Sequence, residues 1–162
     1  MKPSLDPFDY KIVAMLQDHG RITNVQLAES IGLSPPATLE RVKRLETQGT
    51  ISSYHARIDS LALGLTTHLW LQICLHYTTS ESIQSFQESI EKIPEIVACY
   101  HIVGIADFLV HVFASDTKAY QQLLITKLGS LPGIKSIITF SVLDTIKEAG
   151  LPFNHLPFNL TP

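Results

Sequence analysis

Long apolar runs are missing from this 162-residue chain. The longer ones, such as residues 69–75, which Gln72 interrupts, fall far short of the roughly 20 apolar residues that a bilayer-spanning helix needs. Residues 1–15 alternate Lys, Asp and Pro with apolar positions, so no secretory leader is predicted and the protein is expected in the cytoplasm. Cysteine is scarce. Cys74 and Cys99 both lie in apolar, strand-like stretches, where cytoplasmic proteins keep reduced core thiols, so neither a disulfide nor a metal centre is expected. An excess of positive charge is also lacking, since the net charge is −3. Residues 1–59 are neutral, with seven Lys/Arg against seven Asp/Glu, and the remainder, with five against eight, carries the whole deficit. These shortages exclude an α-helical membrane protein, a disulfide scaffold and a domain that holds nucleic acid by bulk charge alone. A hydrophobic content of 45% with 17% charged residues fits a globular chain.

What is present begins with three helix signals. Asp6-Pro7 caps and starts a first helix, Phe8, Ile12, Met15 and Leu16 recur at helical spacing, and Gly20 closes it. Thr23 or Asn24 caps a second, with Leu27, Ala28 and Ile31 as its buried stripe and Gly32 as its stop. After the tight turn Gly32-Leu33, Ser34 caps a third that runs towards Gly49, with Thr38, Val42 and Leu45 facing inward. Helix, glycine turn, helix is the arrangement that lays a recognition helix in a DNA major groove. On the third helix Arg41, Lys43 and Arg44 are candidates for phosphate, while Ser34, Pro35, Pro36, Thr38 and Leu39 are placed near the bases. Such a turn offers van der Waals surface more than hydrogen bonds, so thymine methyls and DNA deformability should carry the base reading. A basic run of this size is equally often the solvated face of a surface helix, and the surrounding layout is what favours DNA. Ile51, Tyr54, Ala56 and Ile58 among Ser, His and Arg then predict a short two-stranded wing, with His55 and Arg57 available to phosphate.

From His68 the period becomes two, with Leu69, Leu71, Ile73 and Leu75 on one face. A helix is predicted from Thr79-Ser80 through Lys92, strands over 96–103 and 108–114, a helix over 117–128 and a last strand over 134–146. The order βαββαβ is that of a ferredoxin-like sandwich, so the fold class is α+β. Both faces of the sheet are apolar, which predicts that a second protomer covers the side the helices leave open. The predicted organisation is a DNA-binding domain at 1–59, a linker at 60–67, an effector-binding and dimerisation domain at 68–147 and a tail at 148–162. The tail repeats LPFN at 151–154 and 156–159; it either docks on a neighbouring subunit or stays extended.

The stretches LDPFDYKIVAMLQDHGRITNVQLAESIGLSPPATLERVKRLETQGTISSY, IPEIVACYHIVGIADFLVHV and LPGIKSIITFSVL resemble, in order and spacing, the Lrp/AsnC (feast/famine) transcription regulators. The resemblance implies a winged helix-turn-helix joined to a βαββαβ effector domain, homodimers that assemble into tetramers or octamers, and double-stranded DNA as partner. It also implies an amino-acid effector bound between dimers and control of amino-acid metabolism or transport genes, with no cofactor and no catalytic residue. It places the effector at Tyr100, Gly104, Ile105, Ala106 and Asp107, faced by Thr139, Phe140 and Ser141. Asp107 suits an ammonium group, and a glycine loop can offer N–H groups to a carboxylate. Two places depart from the family pattern: Ile105-Ala106 stands where many relatives are polar, and Glu40 where basic residues are frequent.

Siroheme decarboxylases resemble the same two-part architecture, and His68, His76, His101 and His111 lie on predicted strands. Their spacing matches no metal-ligand motif. A further alternative is an effector-binding co-assembly partner with weak DNA binding, which the neutral N-terminal part and Glu40 keep open.

Overall fold

The computed structural model describes residues 5–153, and the chain divides into two units. One contains the residues up to Arg57 together with the tail from Lys147; the other runs from Ile58 to Ile146.

In the first unit α1 is Pro7–Asp18, α2 Asn24–Ile31 and α3 Pro35–Thr47. The caps are those the sequence announces. The Asp6 carboxylate accepts the Asp9 N–H while the Asp9 carboxylate accepts that of Asp6, a reciprocal capping box. Thr23 and Gln26 repeat the device on α2. Gly32 ends α2 at φ 74°, a left-handed conformation in which a Cβ is strained, and this lets the cap of α3, Ser34, follow two residues later. Ile12, Leu27, Ile31 and Leu45 form the core, with Val13, Met15, Leu16 and Val42 packed around them. Phe8, placed by periodicity with that core, is instead partly exposed and lies under the Arg41 guanidinium, 5.4 Å from ring centroid to Cζ.

The predicted two-stranded wing is corrected: residues 51–59 contain no strand. The segment has no Gly, Asn or Pro to form a hairpin turn, and an isolated two-stranded ribbon with so few apolar contacts is marginal in water. It is tied down by side chains instead. The Tyr54 hydroxyl donates to Glu46 of α3 at 2.9 Å. Burial, followed by that bond, pushes the phenol up to about 12.

In the second unit β1 is Thr67–Leu75, α4 Ser80–Ile90, β2 Ile96–His101, β3 Phe108–Ala114, α5 Thr117–Leu123 and β4 Ile134–Ser141. The strands form one antiparallel sheet in the order β2-β3-β1-β4, which is the βαββαβ sandwich expected. Leu69, Leu71, Ile73 and Leu75 with Phe108, Val110 and Val112 face α4 and α5, whose Phe86, Ile90, Tyr120 and Leu123 complete the core. Four elements are shorter than the sequence suggests, α4 ending at Ile90 and not at Lys92. β4 stops at Ser141 because β1, its partner, starts at Thr67, and the last bridge is Val142 N–H to the His68 carbonyl. β2 ends at His101, where the Ile102 N–H turns to the Asp107 carbonyl. α5 gives way after Leu123 to one π-helical turn, Leu124–Leu128.

The face of the sheet without helices carries His68, Trp70 and Gln72 of β1, paired in register with Phe113, His111 and Leu109 of β3. Trp70 stacks on His111 with centroids 4.4 Å apart, and the Nε2 atoms of His68 and His111 approach to 2.5 Å. Tyr100, Ile138 and Phe140 on the flanking strands are each about half exposed.

Candidate nucleic-acid interface and ligand loop

The N-terminal turn of α3 is anchored from within. Ser34 Oγ accepts the Ala37 N–H, and the Asn24 side-chain amide of α2 donates to the Pro35 carbonyl at 2.8 Å. Ser34, Pro35, Pro36, Leu39, Glu40 and Lys43 are exposed. Pro36, Leu39, Glu40 and Lys43 follow helical spacing and form one outward stripe. Thr38, placed near the bases by the sequence, is corrected: it is fully buried and its hydroxyl donates to the Ser34 carbonyl at 3.1 Å. Its position on the inward stripe with Leu45 decides this.

The basic run divides in two. Arg41 Nη1 donates to Asp6 Oδ2 at 2.6 Å and to Asp9 Oδ1 at 2.9 Å, and Arg44 Nη2 reaches the same Asp9 oxygen at 2.6 Å. Burial works to raise the Asp6 carboxyl, but the Asp9 N–H and Arg41 outweigh it and hold it below its ordinary value. Asp6 in turn holds the Arg41 guanidinium more firmly protonated. Lys43 has no ion-pair partner among the described residues. Of the two residues offered to phosphate from the predicted wing, His55 bonds Ser53 at 2.7 Å and Arg57 pairs with Glu148 of the tail at 2.7 Å. Sequence reasoning read Asp6 as a helix cap only and gave Asp9 no role. The signal for more was that a capping box uses one oxygen of each carboxylate and leaves the other unclaimed.

In the second unit, residues 102–107 join β2 to β3. Asp107 stitches the loop to the end of β1: its Oδ2 accepts the Leu75 N–H at 2.7 Å and its own N–H donates to the Ile73 carbonyl. Ile105 is exposed with its carbonyl 3.5 Å from Cys74 Sγ, whereas Ala106 is buried. Gly104 is exposed beside them, and Tyr100 stands on the open sheet face. The facing set is not brought to this loop. Thr139, Phe140 and Ser141 pair with Leu71, Trp70 and Leu69, several residues along β1 from Leu75, and successive strand residues point to opposite faces. Phe140 joins the open face, while Thr139 bonds Tyr120 of α5 at 2.5 Å. The two sets of residues therefore do not meet within one copy of the chain. A groove of about 480 Å³ that the sequence did not signal lies between α4 and the edge strand β2, lined by Gln87, Glu91, Cys99 and His101 among others. Burial there pushes the Cys99 thiol up to about 11.

Comparison with known proteins covers both units. Residues 5–52 match a winged helix-turn-helix DNA-binding domain, and residues 70–152 match the Lrp/AsnC ligand binding domain. The chain is 33% identical over 147 residues to the proline dehydrogenase transcriptional activator of Rhizobium radiobacter, covering 91% of this chain and 94% of that one. It is 35% identical over 145 residues to the leucine-responsive regulatory protein of Escherichia coli, covering 90% and 88%. A transcriptional regulator of Neisseria meningitidis, solved in complex with L-methionine, superposes with a TM-score of 0.88 at 32% identity, over 94% of this chain and 99% of that one.

Proposed function

Because this chain belongs to the Lrp/AsnC family of DNA-binding transcriptional regulators, we propose that it works in the cytoplasm as a dimer-based assembly. Residues 1–59 would engage duplex DNA, 60–67 link, and 68–147 bind an amino acid and hold the copies together. The observation that carries the reading is the exposed stripe of α3, opening on Ser34-Pro35-Pro36 straight after the Gly32 turn. Two such stripes in one dimer suit successive major grooves of a near-palindromic site. Gel retardation of the DNA upstream of the protein's own coding sequence tests this; no retardation at low salt, with or without amino acids, refutes it.

The effector reading rests on loop 104–107. Asp107 commits one oxygen to the Leu75 amide, which fixes the side chain and leaves Oδ1 for an ammonium group. The second wall, from Thr139, Phe140 and Ser141, would come from another copy, consistent with binding between dimers. The L-methionine complex of the Neisseria relative makes methionine the first of the twenty amino acids to try in a thermal-shift screen. Asp107→Ala is expected to abolish the amino-acid response while leaving DNA retardation intact. A normal response in that variant would place the ligand elsewhere. Such coupling, about 1–3 kcal/mol, gives a 5–150-fold change in DNA affinity.

A further inference from the structure

We propose that Asp9 is the positioning residue of the DNA-binding domain: its buried carboxylate engages Arg41 and Arg44 to fix α3 against α1, and these arginines do not serve as phosphate contacts. The inference rests on the DNA-binding reading of α3 and concerns how that helix is held.

The Asp9 side chain is 1% exposed. Its Oδ1 accepts from both arginines and its Oδ2 accepts the Asp6 N–H. A carboxylate so enclosed is tolerated only while paired, and withdrawing its partners leaves an uncompensated buried charge. A guanidinium that left Asp9 for a phosphate would break that pairing; Arg41, 25% exposed and held by two carboxylates, is the more committed of the two, and Arg44, 46% exposed, is held through Nη2. The bridge also has the geometry of a clamp. Asp9 sits in the first turn of α1, while Arg41 and Arg44 are one turn apart on α3, so a single oxygen fixes both the rotation and the height of α3. Asp6 adds a second carboxylate to Arg41, and the Phe8 ring lies beneath it. The outward stripe is left with one cation, Lys43, beside one anion, Glu40.

Asp9→Asn separates the two roles by sign. If Arg41 and Arg44 were phosphate ligands held in reserve, the substitution would release both and remove a negative charge, and every DNA would bind more tightly. If Asp9 positions α3, affinity for the cognate sequence falls although electrostatic attraction has risen. Full-length protein would be titrated against the duplex upstream of its own coding sequence and a scrambled duplex of equal length, across a salt series. Asp9→Asn is expected to lower affinity for the upstream duplex about 10-fold, the size of one mismatched base pair, with the scrambled duplex held as well or better. On the scrambled duplex, Lys43→Ala should reduce the slope of log K against log [salt] by about 0.9, the signature of one lost phosphate contact, while Arg44→Ala keeps the wild-type slope. Upstream affinity unchanged or raised in folded Asp9→Asn overturns the proposal. So does a loss of about 0.9 in slope for Arg44→Ala, a readout that stands even if Asp9→Asn does not fold. Wild-type protein that binds neither duplex would instead overturn the DNA-binding assignment, and the proposal with it.

Discussion

Asp6 does two jobs at once, capping α1 with one oxygen and holding Arg41 with the other. Its carboxyl is held below the ordinary 3.8, because the Asp9 N–H and Arg41 outweigh the opposing effect of burial. A group whose value is depressed on folding adds stability above its unfolded value and loses it as pH falls through the folded one. Thermal melts of wild type and Asp6→Asn should therefore differ at neutral pH, with the variant lower, and converge only once pH has fallen through the depressed folded-state value, where Asp6 is protonated in both states. A gap that persists in acid would mean the substitution acts through something other than charge. The caps Asp6, Thr23 and Ser34 were legible in the sequence because capping is local, fixed by residues three apart. The Asp6/Asp9–Arg41/Arg44 cluster was not, because its partners are 32–35 residues apart and no periodicity links them. Thr38 shows the cost of reading by motif position: its buried stripe was recognised, yet the motif also placed it near the bases.

At the scale of elements, type and order were legible and ends were not. Apolar alternation continues past Ser141, so the sequence extends β4; the end is set by where β1 begins, a property of the partner. The wing failed for a related reason, since alternation without a turn or a pairing partner does not make a strand. The tail supplies the converse, an irregular segment with defined contacts. The LPFN repeat was read as docking on a neighbouring subunit or as extended; residues 154–162, which hold its second copy, lie outside the described residues. What is described groups with the DNA-binding unit. The Gln17 side-chain amide of α1 both donates to the Leu151 carbonyl at 3.0 Å and accepts its N–H at 2.7 Å. A Cβ on Gly150 would collide with that amide. Gln17→Ala and Gly150→Ala should each lower the melting stability of this unit by about 1 kcal/mol, and both should speed exchange of the Leu151 amide hydrogen. Since both remove the same clasp, the double variant should be little worse than either single. Full additivity would show that the two residues do not act through one contact.

For the whole molecule, the surface that the proposed assembly would use is the open side of the sheet. It was legible early, because β1 sets Trp70 on the face opposite Leu69, Leu71 and Ile73, and only one face can meet α4 and α5. The proposed effector set was less legible: the sequence groups Gly104–Asp107 with Thr139–Ser141, but register keeps them apart within one copy of the chain. Both points lead towards assembly. Trp70, stacked on His111 and in register with Phe140, occupies the centre of the open face. Trp70→Glu places a charge there without touching the helix-covered core, whose Leu69 and Leu71 point the other way. The variant should fold, and sedimentation velocity should show a smaller species than wild type. Its DNA binding should also suffer, although Trp70 belongs to the other unit from α3. Residues 1–59 are electrically neutral and two arginines of α3 are paired internally, so a single copy has little electrostatic hold on DNA. Joining two copies turns the second contact into an intramolecular event, worth about 100-fold or more in affinity. Trp70→Glu should lose that factor in gel retardation, whereas Lys43→Ala should weaken binding without altering the sedimentation coefficient. If Trp70→Glu sediments as wild type, or dissociates and still binds DNA as tightly, then the open face is not what joins the copies that read DNA.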